Sequence, residues 1–172
     1  DEHGWKHREE FTMLEYYMQG KSYMELMEFT TQAITTSLQK TLHKDRLVFH
    51  GEEIDLTAPA EIITVEEAFK RYTNMDMFEA DKQDMFDELM VCKIEPQLGR
   101  GRLTYLVNYP ASRASLARLS PDDKRVAERW ELYGNGLELA NAYGELVDPV
   151  IQVERFRAFA KTRKEQNLRE YP

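Results

Sequence analysis

Three groups of polar side chains in this chain have types and spacings suited to holding a small charged ligand. In Glu10-Phe11-Thr12-Met13-Leu14-Glu15-Tyr16-Tyr17 the residues alternate as in an extended strand, whose successive side chains point to opposite faces. Phe11, Met13, Glu15 and Tyr17 then share one side, and Thr12, Leu14 and Tyr16 the other. A ring, a carboxylate and a phenol on one side suit a ligand carrying both a flat base and an amine: Phe11 stacks under the base while Glu15 and Tyr17 receive the ammonium. The same alternation also describes a half-buried strand whose Glu15 faces water, and spacing alone does not separate the two.

The second group is Glu131 and Glu138. Val126 to Tyr133 alternates, with Ala127, Arg129, Glu131 and Tyr133 opposing Val126, Glu128, Trp130 and Leu132, and Asn135-Gly136 follows. Both residues of that dipeptide tolerate positive φ, which makes it a strong two-residue hairpin signal. Glu131 and Glu138 therefore fall on paired antiparallel strands near one turn. Carboxylates brought together repel unless a cation lies between them, and their hard oxygens suit Mg²⁺ with nucleotide phosphates. Solvated strand carboxylates are the plainer alternative. The third group, Asn141 and Glu145, lies in the turn leaving the sheet, where the amide can meet a ligand carboxylate and the acid an ammonium.

Local signals outline the elements that must position these groups. Ser22-Tyr23-Met24-Glu25 has the capping-box form and predicts a helix to about Lys44, with Met27, Thr31, Ile34, Leu38 and Leu42 on its buried stripe. Residues 45–63 read as a hairpin, Leu47 to Phe49 and Glu53 to Leu56, followed by a loop. Thr64-Val65-Glu66-Glu67 is a second capping box and starts a helix through Tyr72. The acidic stretch Asp76 to Glu88 reads as a loop feeding a surface helix. Leu103 to Tyr109 is a strand with Tyr105, Val107 and Tyr109 on one side, ended by Pro110. Asp148-Pro149 supplies an N-cap and first-turn proline for a helix of about residues 150–166, with Val150, Val153, Phe156 and Ala160 as its buried side. The sum is an α+β domain, an antiparallel sheet flanked by helices.

Composition narrows the class. At 172 residues and 42% hydrophobic content the chain has enough apolar material for one core. A net charge of −8 gives no support to a general nucleic-acid surface, which needs Lys and Arg to displace counterions from phosphates. The single cysteine, Cys92, excludes an internal disulfide framework; it reads as a small core residue and fits a reducing, cytoplasmic setting. No apolar run approaches the ~20 residues of a membrane span. His3, His43 and His50 have no metal-ligand spacing and take no role.

The run Glu10 to Tyr17 resembles motif 2 of the class II aminoacyl-tRNA synthetases, in their lysine-type branch. Gly136-Leu137-Glu138-Leu139-Ala140-Asn141-Ala142-Tyr143-Gly144-Glu145-Leu146 resembles the acidic strand and lysine-binding turn of that branch. Tyr109 to Arg118 and Arg125 to Glu131 are similar to the elongation factor P lysine ligases, paralogues of the synthetases. These matches are collinear and span nearly the whole chain.

The resemblance implies a truncated class II catalytic domain that activates lysine or (R)-β-lysine with ATP and Mg²⁺, forming an aminoacyl-adenylate. The acyl group then passes to a lysine of elongation factor P or, in the alternative, to tRNA-Lys. It implies nucleotide contacts from Glu2, His7, Phe11, Glu138 and Leu139, metal ligation by Glu131 and Glu138, and substrate contacts from Glu15, Tyr17, Asn141 and Glu145. No side chain acts as a covalent nucleophile. It also implies a homodimer for the intact protein. The ligase branch is favoured over the synthetases because Ala140 stands where synthetases usually carry glycine. Arg8-Glu9 replaces the usual Asn-Pro, Ala142 a common Gly, and Gly144 a common His. Motif 1 and the arginines of motifs 2 and 3 have no counterpart here, so the chain reads as a piece of an enzyme, inactive or binding-only when isolated.

Overall fold

The computed structural model describes residues 9–169. Helix α1 spans Tyr23–Leu42 and starts at the Ser22–Glu25 capping box: the Ser22 hydroxyl accepts from the Glu25 N–H, and the Glu25 carboxylate accepts from the Ser22 N–H. Such a cap is worth about 1 kcal/mol. Next come the hairpin β1 (Arg46–Phe49) and β2 (Glu52–Asp55), which turns at His50-Gly51 with both residues at positive φ. Strand β3 (Glu61–Thr64) runs into α2 (Val65–Tyr72), which carries the second capping box, and then into α3 (Met77–Lys82) and α4 (Phe86–Leu89). Strands β4 (Thr104–Pro110), β5 (Val126–Gly134) and β6 (Leu137–Tyr143) follow, and α5 (Pro149–Glu165) comes last.

The main sheet has the order β3-β4-β5-β6. β4, β5 and β6 are antiparallel neighbours, whereas β3 lies parallel to β4. The segment expected to be a loop after β2 thus supplies a parallel edge strand, because the excursion through α2–α4 returns the chain in the same direction. Each sheet face buries a different core. Met27 of α1 and the hairpin residues Ile54 and Leu56 pack with Leu103, Tyr105, Val107, Trp130 and Leu132 on one face. Phe69, Met77, Ala80, Phe86, Met90 and Ile94 pack with Ile63, Leu106, Tyr109 and Tyr133 on the other. This second layer covers β3 and β4 and stops at β5.

The structure departs from the sequence pattern at several further places. Residues 10–17 form no strand: no strand pairs with them among the described residues, and Tyr16 turns to α1, its hydroxyl 2.6 Å from Thr30 Oγ1 and its ring edge-on to Phe29. Tyr109 does not share the side of Tyr105 and Val107, because Asn108 adopts a left-handed conformation (φ 63°) and the register shifts there. A bulge of this kind turns the following side chain over. Val150, Val153 and Phe156 of α5 are exposed, and so is Ala160; polar ties hold that helix, from the Asp148 cap and from Arg155 to the Ser115 and Ala117 carbonyls. Leu42 is exposed at the end of α1. Cys92 is exposed too, on the outer side of a π-turn (Met90–Ile94) whose Met90 and Ile94 take the buried side. Among the described residues no helix is long and apolar enough to cross a membrane.

Candidate functional site

Beyond the edge of the second layer the β5–β6 hairpin leaves one face open. The turn Asn135-Gly136 has both residues at positive φ (48° and 71°), as the dipeptide requires. Tyr133 pairs with Glu138, Glu131 with Asn141, and Arg129 with Tyr143. Directly opposed residues share a face, so Arg129, Glu131, Glu138, Asn141 and Tyr143 line up together. Leu139 forms the bulge in β6, where the register shifts, and its side chain lies against Gly134 on the side of Ile54 and Leu103.

Glu131 is the fixed centre of this face. It is 7% exposed. Tyr109 Oη and Tyr133 Oη both donate to its Oε2, at 2.5 and 2.6 Å, and Arg129 Nη2 donates to its Oε1 at 2.7 Å. Burial, then the Glu131 charge, raises the pKa of both phenols, so they stay protonated donors. Glu138 differs: it is solvent-exposed, and Asn141 Nδ2 donates to its Oε1 at 3.3 Å. Loss of hydration against the sheet, and next the charge of Glu131, raise its pKa above the ordinary 4.5.

The sign of that shift gives a test. A carboxyl with a raised folded-state pKa stabilises the fold below its unfolded value and loses this contribution as pH rises through the folded value. Glu138→Gln is therefore expected to melt at or above the wild-type temperature at pH 7, the difference vanishing below about pH 4.5. Thermal melts across pH read this directly, and a Gln variant less stable than wild type at pH 7 would contradict it.

The residues fit a hard divalent cation carried with a nucleotide. Mg²⁺ binds through one or two carboxylates plus phosphates rather than a full protein cage, and Glu131 with Glu138 is an acid pair whose repulsion a cation would relieve. No cluster of three or more His, Cys, Asp or Glu side chains suited to a metal occurs among the described residues.

The residues expected to take an amine lie toward the other end of the face. Glu15, Tyr17 and Glu145 are exposed, Tyr17 at 86%. No hydrogen bond or ion pair joins these three among the described residues, but all lie within electrostatic reach of half-buried Tyr143. Burial, then Glu145, Tyr17 and Glu15, raise the Tyr143 pKa, and Arg129 opposes them. Phe11 is 68% exposed. Glu2, His7 and the divergent Arg8 lie outside the described residues.

The backbone of residues 144–146 is clamped by a neighbouring loop: Arg118 N–H donates to the Gly144 carbonyl and Leu146 N–H to the Leu116 carbonyl. Beneath Gly144 runs the Arg118–Glu128 ion pair, and a Cβ at position 144 would collide with it. Sequence reasoning assigned no role to Arg129, Tyr109, Tyr133 or Tyr143. The alternation of β5 already aligns Arg129 with Glu131, whereas only the bulge at Asn108 brings Tyr109 to them.

Comparison with known proteins identifies the family. Residues 1–171 match the family described as tRNA synthetases class II (D, K and N). The chain is 34% identical over 177 residues to the elongation factor P–(R)-β-lysine ligase of Enterobacter sp. (strain 638), covering all of this chain and 54% of that protein. The corresponding ligase of Yersinia enterocolitica is 31% identical over the same length and share. The lysine–tRNA ligase of Psychrobacter arcticus is 31% identical over 172 residues, 88% of this chain and 34% of that protein. The chain thus spans about half the length of the curated ligases it matches.

Proposed function

The chain belongs to the class II tRNA synthetases of the D, K and N type, and from that membership we propose that its open sheet face activates lysine or (R)-β-lysine with ATP for transfer to a lysine of elongation factor P. The observation that carries this reading is the shared face of β5 and β6. A fixed acid and an exposed acid stand at one end, and Glu15, Tyr17 and Glu145 all lie within electrostatic reach of Tyr143 at the other.

In this reading a carboxylate oxygen of the amino acid attacks the α-phosphorus of ATP, the bond to the bridging oxygen breaks, and pyrophosphate leaves. The acceptor amine then attacks the acyl carbon of the adenylate, loses a proton, and AMP departs. Mg²⁺, when bound, neutralises phosphate charge. Glu131 and Glu138 hold it, Asn141 orients the exposed acid or the substrate carboxylate, and Glu15, Tyr17 and Glu145 take the distal ammonium. Catalysis on this face is orientation and charge compensation, with no covalent protein intermediate.

Transfer to tRNA is the second reading, favoured by likeness to the Psychrobacter lysine–tRNA ligase. The net charge of −8 weighs against it, because tRNA binding draws on cationic surface. Incubating the full-length protein with ATP and labelled L-lysine or (R)-β-lysine, then offering elongation factor P or tRNA-Lys, separates them. Label on the factor is expected; label on tRNA alone selects the second reading, and no adenylate with either amino acid rejects both. In the same full-length protein Glu145→Gln is expected to weaken lysine binding by roughly 10- to 100-fold, the value of one charge-assisted hydrogen bond, while ATP binding holds. Equal losses for both ligands would reject the role given to Glu145.

A further inference from the structure

Arg129 stands opposite Tyr143 on the open face, and contacts with three residues hold it. Its Nη2 donates to Glu131 Oε1 at 2.7 Å, its Nη1 donates to the Arg113 carbonyl at 3.0 Å, and its guanidinium carbon lies 4.5 Å from the centroid of the Tyr109 ring. Arg113 is itself anchored. Its Nε donates to Asp81 at 2.9 Å, its Nη1 donates to both oxygens of Asp87 at 2.7 Å, and its guanidinium lies over the Phe86 ring. A continuous set of contacts therefore runs from α3 and α4 through Arg113 to Arg129 and Glu131.

The chemistry of this arrangement is particular to arginine. A planar fork can donate in two directions and stack on a ring at once, whereas a lysine ammonium is a single compact charge on a flexible stem. Both oxygens of Glu131 are engaged, Oε2 by the two phenols and Oε1 by Arg129. The phenols fix one oxygen, and the guanidinium alone fixes the rotation of the other. The charge of Arg129 also reaches Glu138 and Tyr143, one at each end of the face.

The geometry points to Arg129 as a positioning residue: by fixing the Glu131 carboxylate beside Glu138, it sets how tightly the acid pair takes Mg²⁺ together with a nucleoside triphosphate. This inference rests on reading the face as a Mg²⁺–nucleotide site. Partners that orient a metal-binding carboxylate commonly govern metal affinity by 10- to 100-fold. Arg113, anchored by two aspartates, extends the support into the helical layer.

The experiment is calorimetric titration of ATP into the full-length protein at varied Mg²⁺, for wild type, Arg129→Lys, Arg129→Met, Glu131→Gln and the Arg129→Met/Glu131→Gln double variant. Melting temperatures of each confirm folding. Both Arg129 variants are expected to raise the half-saturating Mg²⁺ about tenfold or more, with lysine affinity little changed. Adding Arg129→Met to Glu131→Gln is expected to produce little further loss, because the arginine acts through that carboxylate. Arg129→Lys keeps a cation and tests the point even where the Met variant fails to fold. A wild-type Mg²⁺ dependence in Arg129→Lys, or losses that multiply in the double variant, would overturn the inference alone. Absence of Mg²⁺-dependent ATP binding by wild type would overturn the site reading and the inference together.

Discussion

Glu131→Leu is expected to destabilise the fold by about 3–5 kcal/mol, the range for removing one partner of a buried ion pair. Leucine nearly preserves the volume but removes the acceptor for Tyr109 Oη, Tyr133 Oη and Arg129 Nη2 at one stroke. The phenols sit in a fully packed layer with Leu106, Phe69 and Ile94, so water cannot readily replace the carboxylate. Arg129 keeps the Arg113 carbonyl as its hydrogen-bond acceptor and its place over the Tyr109 ring. For a chain of this length each kcal/mol shifts the melting temperature by roughly 2–4 °C, giving a drop of about 6–20 °C. Glu131→Gln should lose clearly less, since its amide oxygen still accepts from the phenols although the charge facing Arg129 is gone. Urea unfolding read by tryptophan fluorescence checks both, with Trp130 packed edge-on against Tyr105 as reporter. A Leu variant within about 0.5 kcal/mol of wild type would mean that the cluster is not a buried network, since surface changes commonly fall in that range.

That cluster marks the boundary of what the sequence makes legible. The capping boxes at Ser22 and Thr64 and the Asn135-Gly136 turn depend on donors and acceptors within three residues, so the local string carries them whole. The alignment of Glu131 with Glu138 follows from the same locality, because a two-residue turn fixes the register on both sides. The Tyr109–Glu131 bond depends on a bulge at Asn108, whose side-chain oxygen accepts from Tyr23 Oη of α1, a residue far away in the chain. No local pattern encodes such a contact. The parallel strand β3 is hidden for a related reason: its four residues gain a role only when β4 returns beside them after three helices. Periodicity also says which side of an element is apolar without saying what covers it. Residues 10–17 alternate and α5 has an apolar stripe, yet Tyr16 is claimed by α1 and the α5 stripe stays exposed.

The other large effect is expected at Gly99, which has no chemical function and sits far from the carboxylates in sequence. Its φ is +71°, and a Cβ there would lie 2.5 Å from Gly134 Cα, 2.6 Å from the Tyr133 carbonyl oxygen and 2.7 Å from Asn135 N. All three are backbone atoms, so no side-chain rotation relieves the overlap. The close approach exists because this loop holds the hairpin turn: the Gly99 carbonyl accepts from Asn135 N–H and the Leu98 carbonyl from Gly136 N–H, both at 2.8 Å. Gly101 provides the comparison, since it has nearly the same φ (+73°) with nothing within 4 Å of an added Cβ. Gly101→Ala should therefore carry only the left-handed strain, about 1–2 kcal/mol, whereas Gly99→Ala adds a forced backbone displacement and should reach about 4 kcal/mol or more. Because Tyr133 pairs with Glu138 next to the displaced turn, Gly99→Ala in the full-length protein should also weaken Mg²⁺-dependent ATP binding at temperatures where it remains folded, while Gly101→Ala should not. Equal destabilisation by the two alanines would mean that conformational strain alone sets the cost, and that the loop does not hold the hairpin in place.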